Sequence, residues 1–278
     1  MNDIGLAALL GVIEGITEFL PVSSTAHLRL AQAALGLDLG DEYWKMFAIV
    51  IQLGAILSVL IFFRVRLTEL LKTFRPTPRH PLTLALIAFF VTAVPAFLLS
   101  KVIGKNLESL TVIGSSLLIG GLVMWAIDRS GRPAPVDRLE KMSVGQAVWV
   151  GAVQVLSAVF PGTSRSMSTI AGAQLAGLTR AAALEFSFFV SIPTMVAATG
   201  YDLLKTVVLK RAEHPLIMDA HRWTVLGVGF VISFIVALAV IAWFMNWVRR
   251  RGFGPFAIYR VILGTVVLAA VFSGKLPT

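Results

Sequence analysis

Glu14 and Glu18 stand four residues apart in Glu14-Gly15-Ile16-Thr17-Glu18, so on a helix they share one face about one turn apart. Their surroundings are apolar, where an ionisable group is costly and is a functional candidate by default. Just beyond, Pro21 is followed by Ser23, Ser24, Thr25 and His27. A hydroxyl or an imidazole can attack phosphorus, and an imidazole can act as acid or base near neutral pH. The hydroxyls can equally satisfy backbone groups freed at a helix break. His80, His214 and His221 fall in predicted loops, which makes His27 the sharper candidate among the imidazoles.

A second cluster, Pro161-Gly162-Thr163-Ser164-Arg165-Ser166, sets one guanidinium among three hydroxyls at a helix start, with Gly162 permitting a tight approach. Helix N-termini bind phosphate through free N–H groups and the dipole, and Arg adds a bidentate fork. The cluster therefore reads as a phosphate cradle, against the plainer alternative of an Arg snorkelling to headgroups. Carboxylates with phosphate oxygens are the usual environment of Mg²⁺ or Ca²⁺, so the reaction class that follows is metal-assisted phosphoryl transfer to water. Gln52, Glu185 and Arg260 lie in or near apolar runs. They are weaker candidates, to pair with one another or line the cavity.

The elements that must position these groups are apolar helices. Of 278 residues, 57% are hydrophobic and 14% charged, with a mean hydropathy of +0.84, whereas soluble domains carry about 25% charged residues. A soluble globular fold is excluded on this balance. The net charge of +9 does not indicate nucleic acid, because the basic residues crowd between apolar runs, as in Arg64 to Arg79 and Arg249–Arg251, where cytoplasmic loops place them. Without cysteine there is no disulfide, thiolate metal site or Cys nucleophile. The N-terminal stretch, with Asp3, Glu14 and Glu18, does not read as a cleaved signal peptide.

Uncharged runs at Met46–Phe63, Leu82–Ser100, Ser109–Ile127, Phe186–Tyr201, Trp223–Val248 and Gly252–Gly274, the last interrupted by Arg260, approach or exceed the ~17–25 residues of a spanning helix. Residues 4–35 and 142–179 are apolar too, but each is broken by its central Pro and hydroxyl cluster. Broken backbone at membrane depth survives only where protein buries it or it lines a watery cavity. The two segments align at an offset of 140 residues, Gly5, Ala7, Gly11, Pro21, Ser24, Ala31, Ala33 and Leu35 recurring as Gly145, Ala147, Gly151, Pro161, Ser164, Ala171, Ala173 and Leu175. With basic loops inside, both termini lie outside and the two broken segments enter from opposite faces. The expectation is one polytopic all-α membrane domain over 1–278, with six transmembrane helices and two re-entrant helical hairpins in inverted repeats, about 1–128 and 142–278.

The run from Glu14 to His27 and the run from Pro161 to Ser166 resemble the two signature motifs of the undecaprenyl-diphosphate phosphatase family, the bacitracin-resistance proteins. Val50-Ile51-Gln52-Leu53-Gly54, Glu185-Phe186-Ser187-Phe188 and Pro255-Phe256-Ala257-Ile258-Tyr259-Arg260 extend the resemblance from end to end. It implies hydrolysis of undecaprenyl diphosphate to the monophosphate and inorganic phosphate, recycling the carrier for peptidoglycan in a bacterial inner membrane. It makes Glu14 and Glu18 the acidic pair tied to metal or water activation, Ser24 and His27 nucleophile or proton-transfer candidates, and Arg165 the clamp, with water as a third nucleophile. Ser23, Thr25, Gly162, Thr163, Ser164 and Ser166 complete the expected diphosphate site. Polyprenyl diphosphate and membrane lipids are the expected partners, and a homodimer is compatible with them. Ala26 and Met167 stand where relatives often carry Gly, and a positive φ at either would be strained. The rival is a lipid-phosphate transporter, since broken helices in inverted repeats are also a transporter signature. A phosphatase of the acid-phosphatase type fails, because no His follows Arg165 until His214.

Overall fold

A computed structural model describes residues 2–38, 41–106, 109–204, 218–274 and 276. In chain order the α-helices are α1 (Asp3–Thr17), α2 (Ser24–Ala34), α3 (Glu42–Phe62), α4 (Arg64–Lys72), α5 (Pro81–Leu98), α6 (Ser100–Asn106), α7 (Leu110–Arg129), α8 (Val144–Val159), α9 (Arg165–Leu175), α10 (Arg180–Leu203), α11 (Ala220–Arg251) and α12 (Gly254–Phe272). Six of these, α3, α5, α7, α10, α11 and α12, are long and apolar enough to cross a membrane. They match the six apolar runs read from the sequence. Their outer faces carry helical stripes of exposed apolar side chains, such as Leu86, Phe90, Val94 and Phe97 on α5 and Ile258, Ile262 and Val266 on α12, as a lipid-facing surface requires.

The helix starts are set by side-chain caps. Asp41 accepts from the Tyr43 and Trp44 amides, Ser109 from Val112, Thr179 from Ala182 and Asp219 from Arg222, each satisfying donors that a helix leaves unpaired. Two histidines expected in loops belong to this framework: His80 caps α5, and His221 sits in the first turn of α11, 3.1 Å from Asp3. His214 lies outside the described residues. α10 begins six residues before the apolar run that marked it, because the two charged residues there have partners. Arg180 donates to Asp128 at 2.7 Å, and Glu185 accepts from Arg66 at 3.1 Å. Arg66 also reaches Glu140 at 2.6 Å. Burial pushes the Glu140 carboxyl up, but its own backbone N–H and Arg66 outweigh this and hold it below the usual carboxylate range.

The core is held by close backbone approach. α1 packs on α11, α11 on α3, α8 on α5, and α12 on α7, so each helix preceding a break lies against a span from the other half of the chain. A Cβ on Gly54 would meet the Phe230 carbonyl oxygen at 2.5 Å, and one on Gly15 would meet the Val236 Cβ at 2.7 Å. Small residues are what allow membrane helices to come this near, where packing replaces the hydrophobic effect as the driving force. Ser233 on α11 donates to the Ile51 carbonyl at 2.8 Å, and Thr92 on α5 to that of Gly151 at 2.8 Å, adding polar ties across the same interfaces.

Gly54→Val therefore overpacks the α3–α11 interface and costs about 1–3 kcal/mol, read as a lowered thermal midpoint in detergent. Gly227→Val, on a face with open space, leaves the midpoint within a degree or two of the parent.

Candidate active site

α1 and α8 have 15 and 16 residues, about 22–24 Å at 1.5 Å per residue, short of the ~30 Å hydrocarbon core. Both end in turns at Pro21 and Pro161, and a new helix starts a few residues later. In each case the N-cap is a serine with positive φ, Ser23 at 74° and Ser164 at 73°, whose hydroxyl accepts from the amide three residues on. The new helices then close alike, with Gly36 (φ 68°) and Gly177 (φ 89°) past their ends. There Leu37 donates to the Gln32 carbonyl and Leu178 to that of Ala173, the six-to-one bond of a Schellman cap.

These landmarks recur at a spacing of their own. Ser23 to Ser164 and Gly36 to Gly177 both span 141 residues, one more than the offset of 140 read from residue identities. The identities rest on small residues that recur throughout such helices, whereas the caps fix the backbone. At this spacing Ser24 and Arg165 fall in step, each the first helical residue after a positive-φ serine, and both are carried toward the same point. Ala26 and Met167 lie inside α2 and α9 and are not among the positive-φ residues. The strain expected there falls on Ser23 and Ser164 instead.

At that point the chemistry assembles. Glu14 and Glu18 are buried, 1% and 7% exposed, with their carboxyls close enough to interact electrostatically. The Ser24 hydroxyl donates to Glu18 Oε2, and Arg165 Nη2 reaches Glu18 Oε1 at 3.2 Å. Arg165 also donates to the Ser187 carbonyl at 3.3 Å and lies 5.6 Å from the centre of the Phe19 ring. Ser166 joins the breaks directly, donating to the Leu20 carbonyl at 2.9 Å, and stands 3.0 Å from the Ser164 hydroxyl. Eight buried side-chain atoms have no partner among the described residues, and two of them, Glu14 Oε1 and Arg165 Nε, belong to this cluster.

Other candidates are placed differently. His27 is turned away from Ser24: Nδ1 lies 2.7 Å from the Ser23 carbonyl and Nε2 2.6 Å from the Tyr259 hydroxyl. Because Nδ1 faces an acceptor, it carries the proton of the neutral ring, and Tyr259 donates to Nε2. The tight approach at Gly162 is to α7, since a Cβ there would meet the Ile113 carbonyl at 2.4 Å. Gln52 accepts from Thr199 at 3.3 Å, and Glu185 is held by Arg66, so neither joins Arg260. Tyr259 stands in a run that carries the resemblance, but nothing at the sequence level pairs α12 with the first break, so its contact with His27 left no signal. An apolar groove of about 540 Å³ runs beside the cluster, lined by Ile13, Leu20, His27, Trp243, Phe256 and Tyr259 among others.

The two capping serines give a direct check. Ser164→Ala loses a cap and keeps an unfavourable φ, so it costs about 1–3 kcal/mol. Ser164→Gly loses the same hydroxyl but relieves the strain. Thermal unfolding in detergent is expected to rank Ser164→Gly above Ser164→Ala.

The bacitracin resistance protein BacA family matches residues 7–266. An undecaprenyl-diphosphatase of Koribacter versatilis is 61% identical over 97% of this chain and 98% of its own length. Proteins with the same name from Rhizobium leguminosarum and Caldanaerobacter subterraneus are 44% and 39% identical, over 96% and 94% of this chain and 97% and 94% of their own lengths. With six helices of spanning length, two capped breaks meeting at Glu18, and similarity along nearly its whole length, the chain belongs to the bacitracin resistance protein BacA family.

Proposed function

We propose that this protein hydrolyses undecaprenyl diphosphate to undecaprenyl phosphate and inorganic phosphate in the bacterial inner membrane, returning the lipid carrier to peptidoglycan synthesis. The observation that carries the reading is the bond from the Ser24 hydroxyl to a carboxylate that is itself paired with Arg165: a nucleophile, its base and an anion clamp at one point of an apolar bundle. Ser24 Oγ attacks the terminal phosphorus while Glu18 takes its proton. The bond from that phosphorus to the bridging oxygen breaks, and the lipid monophosphate leaves. Water then cleaves the phosphoserine to release phosphate and restore the hydroxyl. Arg165 and the amides at the start of α9 hold the phosphate oxygens, and the apolar groove beside Leu20 and His27 suits the first isoprene units of the chain. His27, with both ring nitrogens engaged, acts in holding α12 to the first break.

The residues fit a hard divalent cation. Their donors are all oxygen, and Glu14 Oε1 is buried without a partner beside Glu18. No group of three His, Cys, Asp or Glu occurs among the described residues. Glu14 and Glu18 would therefore hold Mg²⁺ or Ca²⁺ with diphosphate oxygens and water completing its shell. Bound there, the ion would neutralise the diphosphate and stabilise charge on the leaving oxygen.

The 141-residue recurrence of the caps and the swapped packing of α1 and α8 favour two re-entrant hairpins in inverted halves, about 1–128 and 142–278, within one membrane domain. The basic ends of α7 and α11, with Asp128 joining Arg180 and the Phe253 amide, then lie on the cytoplasmic side.

Phosphate release from a C55 or shorter prenyl diphosphate by purified protein tests this. Release is expected to need divalent metal and to fall at least ~100-fold in Glu18→Gln, Arg165→Ala and Ser24→Ala. Acid quenching should trap label from the terminal phosphate on Ser24. Unchanged turnover in Ser24→Ala would make water the nucleophile, and tight lipid-phosphate binding without release by well-folded protein would favour the transporter.

A further inference from the structure

Arg260 is a fully buried arginine, 0% exposed, in the N-terminal half of a helix of spanning length. A charge in that position is costly and needs a reason. No carboxylate pairs with it among the described residues. Its guanidinium instead donates to three backbone carbonyls: Nη1 to Pro21 at 3.1 Å, and Nη2 to Gly162 at 3.0 Å and Ser116 at 3.1 Å. Pro21 and Gly162 are 141 residues apart, so they are equivalent positions in the two breaks. Each lies two residues before the positive-φ serine that launches α2 or α9. One planar group thus holds the same carbonyl of both breaks and ties them to α7.

Space for this group is built in. A Cβ on Gly120 would meet Arg260 Nη2 at 2.3 Å, and one on Gly121 would meet the Arg260 Cβ at 3.0 Å. Only a guanidinium offers donors fanned in one plane toward three acceptors; a lysine ammonium is a point charge on a flexible stem. Because Ser24 and Arg165 follow the clamped carbonyls by three residues each, their separation is set by Arg260.

We propose that Arg260 is a positioning residue for phosphoryl transfer, a clamp that fixes the nucleophile-bearing break against the phosphate-binding break without touching the substrate. The proposal rests on the hydrolase reading for its kinetic test and on geometry alone for its structural one. A displacement of about 1 Å in such a site can cost 10²-fold in rate. In purified full-length protein, Arg260→Lys is expected to lower kcat ~10–100-fold while KM for the prenyl diphosphate changes less than about threefold, since Arg165 and the carboxylates remain. Gly120→Ala, which keeps the arginine but crowds Nη2, should shift kcat in the same direction with a smaller loss, and it decides the matter if Arg260→Lys fails to fold. The native chain has no cysteine, so spin labels on Ala33→Cys and Gln174→Cys, near the ends of α2 and α9, report the relation of the breaks. Their distance distribution should be narrow in the parent and broaden or shift with either substitution. Retention of kcat within threefold, or loss of kcat with an unchanged distance distribution, would overturn the clamp. If the parent releases no phosphate, the hydrolase reading fails, and the label distances alone decide whether Arg260 holds the breaks together.

Discussion

The contact on which the site depends is the ion pair between Arg165 and Glu18, residues 147 apart in the chain that stand one on each break. Glu18 is buried and Arg165 mostly so, at 5% and 13% side-chain exposure. Desolvating two charges costs about as much as their attraction returns, so such a pair adds little net stability, although removing one partner typically costs 3–5 kcal/mol. The pair is better understood as a ready state. In the reaction proposed above, a diphosphate would bring its own negative charge to Arg165 and compete with Glu18 for the fork, freeing the carboxylate to accept the Ser24 proton. The same low dielectric that makes a buried charge costly would strengthen each contact to a bound substrate.

Everything around the pair serves to bring two helix starts to one place. A polar break inside a bilayer is admissible only when its backbone groups are satisfied by protein, and here the partners are identifiable. Ser23 and Ser164 cap the outgoing helices, Ser166 takes the Leu20 carbonyl, and Arg260 takes the Pro21 and Gly162 carbonyls. The strain of two positive-φ serines is retained where it orients Ser24 and Arg165, which agrees with the tendency of backbone strain to collect at functional sites. Glycines at the α3–α11 and α1–α11 crossings supply the close approach that keeps these loops enclosed.

Much of this was legible in the residues. Runs without charge marked the six long helices, because hydrocarbon tolerates little else, and Pro21 and Pro161 marked the breaks, because proline cannot continue a ladder of amide bonds. The types of Glu14, Glu18, Ser24 and Arg165 were enough to name phosphate chemistry. The residue identities recur at an offset of 140 and the caps at 141, a difference hidden in the sequence because Gly and Ala identities are cheap in membrane helices while cap geometry is conformational. Orientation was also hidden: His27 stood beside Ser24 in sequence, but the helical turn aims its ring at Tyr259. Partners such as Arg66 for Glu185, or both breaks for Arg260, join distant segments and leave no local spacing to read.

The account comes down to whether the two breaks form one phosphoryl site. The most direct measurement is a structure of the protein bound to a prenyl methylenediphosphonate, which cannot be cleaved, in the presence of Mg²⁺. The account predicts the terminal phosphorus in line with Ser24 Oγ, Arg165 forked onto its oxygens and turned from Glu18, and the chain leaving along the groove by Leu20 and Tyr259. A headgroup bound away from Ser24, with the Arg165–Glu18 pair intact, would contradict it.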